Sequence, residues 1–300
     1  PKIVLFGAPF DGTTSYRPGT RFGSGAIRRE SYGIESYSPY QDGDLLDGRV
    51  LDCGDLELPI GNAEKALAAI QAMEEEILSA GKLPFMLGGE HLVTLGAFRA
   101  AVKKYPDIHI LHFDAHADLR QEYLGVELSH ACVLRRCWEL TGDGRIHQFG
   151  IRSGDREEFR WGKDHVETRK FDFEGLEETL DRLKGKPVYF TLDLDVLDPS
   201  VFPGTGTPEP GGVSFEELRK AAELVCRKAD VAACDVNELS PPYDPSGIST
   251  AAACKIVREM LIALQKKGVY SMGKVFVIGC GGVASVAIHK CCQNSEVFQE

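Results

Sequence analysis

The segment PVYFTLDLDVLDP, residues 187–199, begins with an apolar and β-branched run and ends in carboxylates. It is one of several short runs rich in Val, Ile, Leu and Phe that alternate with longer segments of helical period. Such alternation is typical of βαβ units around a mainly parallel sheet. Asp193 and Asp195 are two residues apart, so their side chains point the same way as the strand runs out. The sequence therefore predicts an α/β fold with polar groups at a strand end.

Six strands and five helices can be placed from this pattern. We expect strands near residues 2–6, 83–87, 108–114, 145–151, 187–193 and 231–236. We expect helices over residues 62–80, 91–104, 174–184, 214–228 and 250–267. The segments 10–25 and 203–212 are too rich in Gly, Pro and Thr for regular structure and are expected to be loops.

Two more predicted strands end in residue types that bind metals. They are ILHFDAHADLR at 110–120, with Asp114, His116 and Asp118, and LPFMLGGEH at 83–91, with His91. In open α/β sheets, ligands bind beyond the carboxyl ends of the strands, where these groups meet. Four carboxylates crowded together repel one another unless they are protonated or neutralised by cations. Two divalent metals balance that charge, and oxygen and imidazole donors without thiolate favour Mn²⁺, with Fe, Co and Ni left open.

Composition limits the class of protein. Of 300 residues, 43% are hydrophobic and 26% are charged, which is typical of one soluble α/β domain. The net charge of −11 argues against a broad basic surface for nucleic acid. No apolar run approaches the roughly 20 residues of a membrane-spanning helix. The nine cysteines are scattered, so we expect reduced, mostly buried thiols in a cytoplasmic protein.

Six motifs together resemble the ureohydrolase (arginase/agmatinase) family in order and spacing, over roughly residues 1–268. They are GGEH at 88–91, DAHAD at 114–118, SHACVLRR at 129–136, DLDVLDP at 193–199, GTGTPEPGG at 204–212 and NELSP at 237–241. The resemblance implies a three-layer α/β/α sandwich of the arginase type over residues 1–268. It also implies a homo-oligomer, either a trimer or a hexamer.

The resemblance further implies a binuclear manganese centre, with two Mn²⁺ per chain. Asp114 and Asp193 would bridge both ions, His91 and Asp118 would complete one, and His116 and Asp195 the other. Two such cations, roughly 3.5 to 4 Å apart, lower the pKa of a shared water enough to give hydroxide at neutral pH. That hydroxide would attack the guanidinium carbon of the substrate and release urea and an amine.

Three further roles follow from the same resemblance. His130 would act as a proton shuttle at the site mouth, Glu238 would pair with the substrate guanidinium, and Asp118 would orient the hydroxide. Helix capping is the alternative for His130, and an ordinary charge at a strand end is the alternative for Glu238. His112 is either a partner of Asp114 or a core histidine, and the segment 203–212 is expected to wall the pocket.

The substrate is predicted from the segment LRQEYLGVELS, residues 119–129. It has no asparagine for an α-carboxylate, but it has Glu122 and Glu127, which are either partners for a cationic tail or solvated surface charges. The stretch GTTSYRPGTRFG, residues 12–23, resembles agmatinases more than arginases. We therefore predict that the protein hydrolyses agmatine to putrescine and urea. The expected partner is a small cationic guanidino substrate, and we expect no binding to nucleic acid or membrane. Other guanidino substrates remain open: aminopropylagmatine, carboxyaminopropylagmatine, guanidinobutyrate and arginine.

The residues after about 268 do not resemble the family. Residues 272–300 contain a G-x-G-x-x-A pattern after an apolar run and resemble the N-terminus of a carboxynorspermidine or saccharopine dehydrogenase. We expect a C-terminal extension at 269–300, with a partial Rossmann-like strand, turn and helix. Two other classes of protein stay open at this stage: a deacetylase of related fold and a non-catalytic metal-binding scaffold.

Overall fold

Strands and helices alternate along the computed structural model, which describes residues 2–267. The strands are β1 Ile3–Gly7, β2 Tyr37–Ser38, β3 Gly43–Asp44, β4 Val50–Asp55, β5 Leu83–Leu87, β6 His109–Phe113, β7 Ile146–Ile151, β8 Glu167–Lys170, β9 Pro187–Asp193 and β10 Asp230–Asn237. The helices are α1 Gly23–Glu30, α2 Ala63–Ser79, α3 Val93–Lys104, α4 Val133–Thr141, α5 Arg156–His165, α6 Leu176–Arg182, α7 Phe215–Lys228 and α8 Ile248–Lys266.

Eight of the strands form one sheet, in the order β4-β1-β5-β10-β9-β6-β7-β8. Every pairing in this sheet is parallel. One apolar cluster packs α6, α7 and α8 on one face, and a second packs α2, α3 and α4 on the other. This arrangement confirms the predicted three-layer α/β/α sandwich.

The side chains of β9 show why the strand is almost wholly apolar. Val188, Phe190 and Leu192 enter the first cluster, and Tyr189 enters the second. Successive residues of a strand point to opposite faces, and here both faces are covered by helices. The two clusters together therefore hold the strand rigidly up to its last residue, Asp193.

All six predicted strands and five predicted helices are present, whereas several elements were not predicted. Four strands were missed: β2 and β3 form a separate two-stranded sheet, and β4 and β8 lie at the two edges of the main sheet and carry charged residues in place of an apolar run. The missed helices are α1, α4 and α5. The expected loop at 10–25 is wrong at its end, because α1 begins at Gly23, whereas 203–212 is irregular as predicted.

Three further expectations from the sequence concern membrane-spanning helices, the cysteines and the C-terminal extension. In the range 2–267 no helix is both long enough and apolar enough to cross a bilayer. Five of the six cysteines in that range are buried, Cys53 is exposed, and none of the six is in a disulfide. The extension predicted at 269–300, with its Rossmann-like strand, turn and helix, lies outside the described residues.

Glu74 is an exception to the apolar pattern of α2. It lies on the buried stripe of the helix with Leu67, Ile70 and Ile77, and it is 1% exposed. One carboxyl oxygen has no hydrogen-bond partner among residues 2–267. Burial, and then the charge of Asp235, raise the pKa of Glu74 well above its ordinary value. The folded chain therefore holds a proton on this carboxyl at pH values where the unfolded chain releases it.

We expect Glu74→Met to stabilise the protein by about 1–3 kcal/mol near pH 7, because it replaces a buried carboxyl with an apolar side chain of similar length. The unfolded carboxyl ionises above its ordinary pKa of 4.5. The wild type therefore loses stability relative to the variant as the pH rises through that value, and the two converge at lower pH. Urea unfolding at several pH values measures the difference. Exposed Glu76→Met is the control, and a variant that is less stable than wild type at pH 7 would contradict the expectation.

Candidate metal centre and substrate cavity

The candidate site lies where four neighbouring strands of the sheet end. The strands β5, β10, β9 and β6 are adjacent in that order. His91 and Glu238 follow β5 and β10, Asp193 ends β9, and Asp114 follows β6. All four side chains are buried. Parallel pairing thus brings into contact residues as far apart in sequence as His91 and Glu238, which are 147 positions apart.

His91 faces three carboxylates. Its Nδ1 lies 3.0 Å from Asp114 Oδ2, 3.1 Å from Asp118 Oδ2 and 3.4 Å from Asp193 Oδ2. Although these oxygens are close, the buried Nδ1 has no hydrogen-bond partner among the described residues. Three carboxylate oxygens thus approach one nitrogen without accepting a hydrogen bond from it. The ligands of a shared cation are arranged in this way.

His116 forms a second group beside the first. Its Nδ1 lies 2.9 Å from Asp195 Oδ2 and 3.4 Å from Asp114 Oδ1. Asp114 therefore offers one oxygen to each histidine. Asp193 is linked to the second group through its Oδ1, which accepts a hydrogen bond from the Asp195 N–H at 2.8 Å. The six predicted metal-ligating residues thus lie together at one edge of the sheet.

Without bound cations, the carboxylates of this cluster are balanced only by protonation. Burial opposes protonation of His91 and His116, but the neighbouring aspartates raise the pKa values of both rings well above the ordinary value. Burial, and then the neighbouring Asp114 charge, raise the pKa of Asp118 to about 7. Burial and the charges of Asp195 and Asp114 raise the pKa of Asp193 well above its usual range. Asp114 differs: burial opposes its ionisation, but hydrogen bonds, first that of His112, hold its pKa well below the usual range. Two divalent cations fit this set, because they neutralise the carboxylates and use the unpartnered nitrogen of His91.

A buried network behind His91 fixes the orientation of its ring. His91 Nε2 lies 2.8 Å from Thr191 Oγ1, and the Thr191 hydroxyl donates to Asp235 Oδ1 at 2.7 Å. Asp235 also accepts hydrogen bonds from Thr94, Tyr189 and Asn237. Because the threonine hydroxyl has one proton, Nε2 must carry the imidazole proton. Nδ1 is then free to bind a cation.

His112 contacts the cluster from the other side of Asp114. Its Nε2 lies 2.8 Å from Asp114 Oδ2, and the Gln148 side-chain amide donates to its Nδ1 at 3.0 Å. The ring is 0% exposed. Of the two interpretations considered for His112, the structure places it as a hydrogen-bonding partner of Asp114. Thr191, Asp235 and Gln148 carried no signal in the sequence, because only the order of the strands brings them behind the site.

Glu238 lies beside the cluster in an unusual backbone conformation. Its φ is +65°, a left-handed value that is uncommon for residues other than glycine. Its Oε1 accepts a hydrogen bond from the His91 N–H at 2.7 Å. Burial, and then the charges of Asp195 and Glu90, raise its pKa well above the usual range. Asp118, with φ +54°, shares the left-handed conformation. Both carboxylates are thus held in the site by a strained backbone conformation, which has a cost in free energy.

His130 begins a single 3₁₀ turn, His130–Cys132, at the wall of the cavity. Its N–H donates to Thr13 Oγ1 at 3.2 Å. Burial, and then the charge of a protonated His116, lower the pKa of His130 to about 4. The side chain of His130 makes no helix cap, so the structure does not favour the capping alternative. The imidazole is therefore neutral at ordinary pH and faces the cavity.

The cavity has a volume of about 280 Å³. It is lined by cluster residues and Glu238, and Thr207 is the lining residue that comes from the predicted 203–212 wall. Other lining residues are Ser15, Arg120, Tyr123, Ser153, Asp155 and Glu158. A cavity of this volume accommodates a small molecule, and the cluster residues in its lining allow that molecule to contact the cluster.

The carboxylates expected for a substrate tail are not the ones that line this cavity. Glu122 is exposed, and Glu127 lies 3.5 Å from Arg136 and lines a separate groove. Asp155 and Glu158 line the cavity in their place. Their D-x-x-E spacing is a capping box that begins α5, and it could have been recognised in the sequence as a helix start.

A three-layer sandwich with carboxylates and imidazoles clustered at the carboxyl edge of its parallel strands, beside a cavity, defines an α/β protein with a candidate metal centre. The sequence model of the arginase family matches residues 1–263, and the chain therefore belongs to that family. This finding confirms the resemblance that the six motifs indicated.

Individual relatives agree with this assignment. An agmatinase from Bacillus anthracis is 47% identical over 268 residues, which cover 88% of this chain and 92% of that protein. The N(1)-aminopropylagmatine ureohydrolase of Thermococcus kodakarensis is 38% identical and covers 83% of this chain and 87% of its own length. The solved structure of the agmatine ureohydrolase of Thermoplasma volcanium has a TM-score of 0.82 at 36% identity, and the match covers 90% and 92% of the two chains.

The Thr191 network predicts a specific effect on metal binding. Thr191→Val removes the hydroxyl that orients His91, so we expect the affinity of the His91 group for a divalent metal, with Mn²⁺ as the probe ion, to fall about 10- to 100-fold. Thr191→Ser keeps the hydroxyl and should bind nearly as wild type does. Calorimetric titration of the metal-free proteins measures both. Equal affinities for the valine and serine variants would show that the hydroxyl does not support the ligand.

Proposed function

We propose that this protein is a manganese-dependent agmatine ureohydrolase, which hydrolyses agmatine to putrescine and urea. The observation that carries the proposal is the position of Glu238. This buried carboxylate accepts a hydrogen bond from the His91 N–H, directly beside the six-residue cluster, and it lines the cavity. A guanidinium held there would have its carbon next to any nucleophile that the cluster activates. The agmatinase relatives support the choice of substrate.

We infer that the six clustered residues hold two Mn²⁺ ions. Asp114 and Asp193 would be shared, His91 and Asp118 would serve one ion, and His116 and Asp195 the other. Bound cations of this kind supply a hydroxide nucleophile at neutral pH and stabilise developing negative charge. The free oxygen of Asp118 would accept a hydrogen bond from that nucleophile and orient it. By family analogy, the chains would assemble as a trimer or hexamer.

Glu238 binds the guanidinium in this proposal. Its Oε1 is occupied by the His91 N–H, which leaves Oε2 for the substrate. Gly206, which has no side chain, lies opposite Oε2. A Cβ atom added at Gly206 would still be 3.9 Å from that oxygen. A fork-shaped, charged donor pairs strongly with a carboxylate, and the cation lowers the energy of ionising Glu238 in a buried site. The pair would hold the substrate carbon over the cluster.

His130 would move the proton that the reaction requires. The C–N bond to the leaving amine breaks only when that nitrogen is protonated. An imidazole ring can take a proton from the cluster on one nitrogen and pass a proton to the leaving nitrogen. His130 lines the same cavity as the cluster, so its ring is within the space that the leaving amine would occupy.

Asp155 is the residue that we assign to the ammonium tail of agmatine. Its Oδ1 is used by the N–H groups of Glu157 and Glu158 at the start of α5. Its Oδ2 lies 3.3 Å from Arg120 Nη1, a loose contact that an ammonium group can replace. Glu158 is less available, because its two oxygens accept hydrogen bonds from the Leu119 and Asp155 N–H groups.

One alternative substrate is supported by a particular relative. The Thermococcus kodakarensis protein is named for N(1)-aminopropylagmatine, a longer polycation with the same guanidinium head. Such a substrate would use the same cluster and Glu238, and only its tail would extend further past Asp155. Arginine and guanidinobutyrate place a carboxylate near Asp155, which disfavours them.

The primary test is a panel of guanidino compounds assayed for urea, with metal analysis of the same sample. We expect two Mn²⁺ per chain and faster urea release from agmatine than from arginine, guanidinobutyrate or aminopropylagmatine. Asp114→Asn should abolish turnover and leave the circular dichroism spectrum unchanged. Arginine as the best substrate would refute the assignment of agmatine. Full activity of Asp114→Asn would refute the assignment of the cluster.

Asp155→Asn tests the tail site. Asparagine caps a helix as well as aspartate does, so the fold of α5 should persist. We expect KM for agmatine to rise on the order of tenfold, about 1.4 kcal/mol of binding, with little change in kcat. Butylguanidine, which has no ammonium tail, should be hydrolysed equally by both proteins. Exposed Glu157→Gln is the matched control, and an unchanged KM for agmatine in Asp155→Asn would rule out the tail assignment.

A further inference from the structure

The loop that follows β1 packs against the candidate site, and the proposed function leaves it without a role. Its residues Thr13 and Thr14 contact Glu90, the residue before His91. Glu90 is 0% exposed. The two backbone segments come very close here. The Glu90 N–H donates to the Phe10 carbonyl oxygen at 2.7 Å, and a Cβ atom at Gly89 would lie 2.0 Å from that oxygen. The loop is therefore joined tightly to the end of β5.

Glu90 holds the two threonines through both of its oxygens. The Thr13 N–H donates to Oε2 at 2.9 Å, and the Thr13 hydroxyl donates to Oε1 at 2.5 Å. The Thr14 hydroxyl donates to Oε2 at 3.0 Å. Asp11 closes the other end of the loop by accepting the Gly19 N–H at 2.8 Å and pairing with Arg21. Thr13 is thus fixed from both directions along the chain.

The Thr13 hydroxyl connects this framework to His130. Its single proton is given to Glu90, so its oxygen is left as an acceptor for the His130 N–H, at 3.2 Å. The His130 ring also contacts Tyr123, with 5.8 Å between ring centres. Thr14, by contrast, contacts Glu90 but makes no such bond to His130. One hydroxyl therefore links the backbone of His130, through Glu90, to the end of β5.

We propose that Thr13 is a positioning residue for His130, and that Glu90 keeps Thr13 in place. The inference rests on the proposed role of His130 in proton transfer. The length of a hydrogen bond limits proton transfer, so a histidine displaced by a fraction of an ångström transfers its proton less efficiently. The backbone bond from His130 to Thr13 prevents that displacement. Thr13, in the Gly- and Thr-rich loop, would then support the reaction through His130 and would not itself contact the substrate.

Thr13→Val removes the hydroxyl and keeps the shape of the side chain. We expect kcat for agmatine to fall on the order of tenfold, with KM and bound manganese within twofold of wild type. Thr13→Ser, which keeps the hydroxyl, should restore kcat. Thr14→Val, which removes a neighbouring hydroxyl bonded to the same carboxylate, is the matched control and should behave as wild type does. If the valine variant does not fold, Thr13→Ala removes the same hydroxyl and leaves more room.

A double-mutant cycle separates positioning from a general effect on folding. If Thr13 acts through His130, then Thr13→Val should not slow His130→Asn any further, because the group it positions is already absent. An additional tenfold loss in the double variant would overturn the inference, and so would a Thr13→Val protein with the kcat of wild type. If His130→Asn alone has full activity, the proposed role of His130 fails, and the inference fails with it.

Discussion

Mutual repulsion among buried carboxylates is the constraint on which this structure depends. Asp114, Asp118, Asp193 and Asp195 meet at one edge of a sheet that is covered on both faces, where little water can screen them. A chain that places such charges together gains nothing in stability from doing so. The arrangement becomes favourable when divalent cations are bound, so the free energy of metal binding also holds this edge of the protein together.

The rest of the fold keeps these groups from moving apart. The central strands are buried on both faces, so their ends cannot shift without disturbing two apolar clusters at once. Behind the ligands, neutral donors satisfy a further buried carboxylate, Asp235, and give the ring of His91 a single orientation. Beside them, Glu90 and Asp11 tie an irregular loop to the sheet. Rigidity therefore comes from packing below the site and from hydrogen bonds around it.

The ligand cluster could be predicted from sequence because its signal is local. Each D-x-H or D-x-D pattern follows an apolar strand, and the rule that parallel strands end at the same edge brings the patterns together. The edge strands β4 and β8 could not be predicted so easily, since half-exposed strands need no apolar run. Asp155 was missed for another reason. Its spacing to Glu158 indicates a helix start, and only the structure shows that this helix begins at the cavity.

The left-handed backbone at Asp118 and Glu238 has a consequence for how this protein can change over time. Glycine or asparagine at either position would relax the main chain and make the protein more robust, at the expense of the side chain that the site needs. Selection for heat resistance alone would therefore drift toward inactive sequences at these two sites. Only simultaneous selection for turnover would retain the two acidic residues.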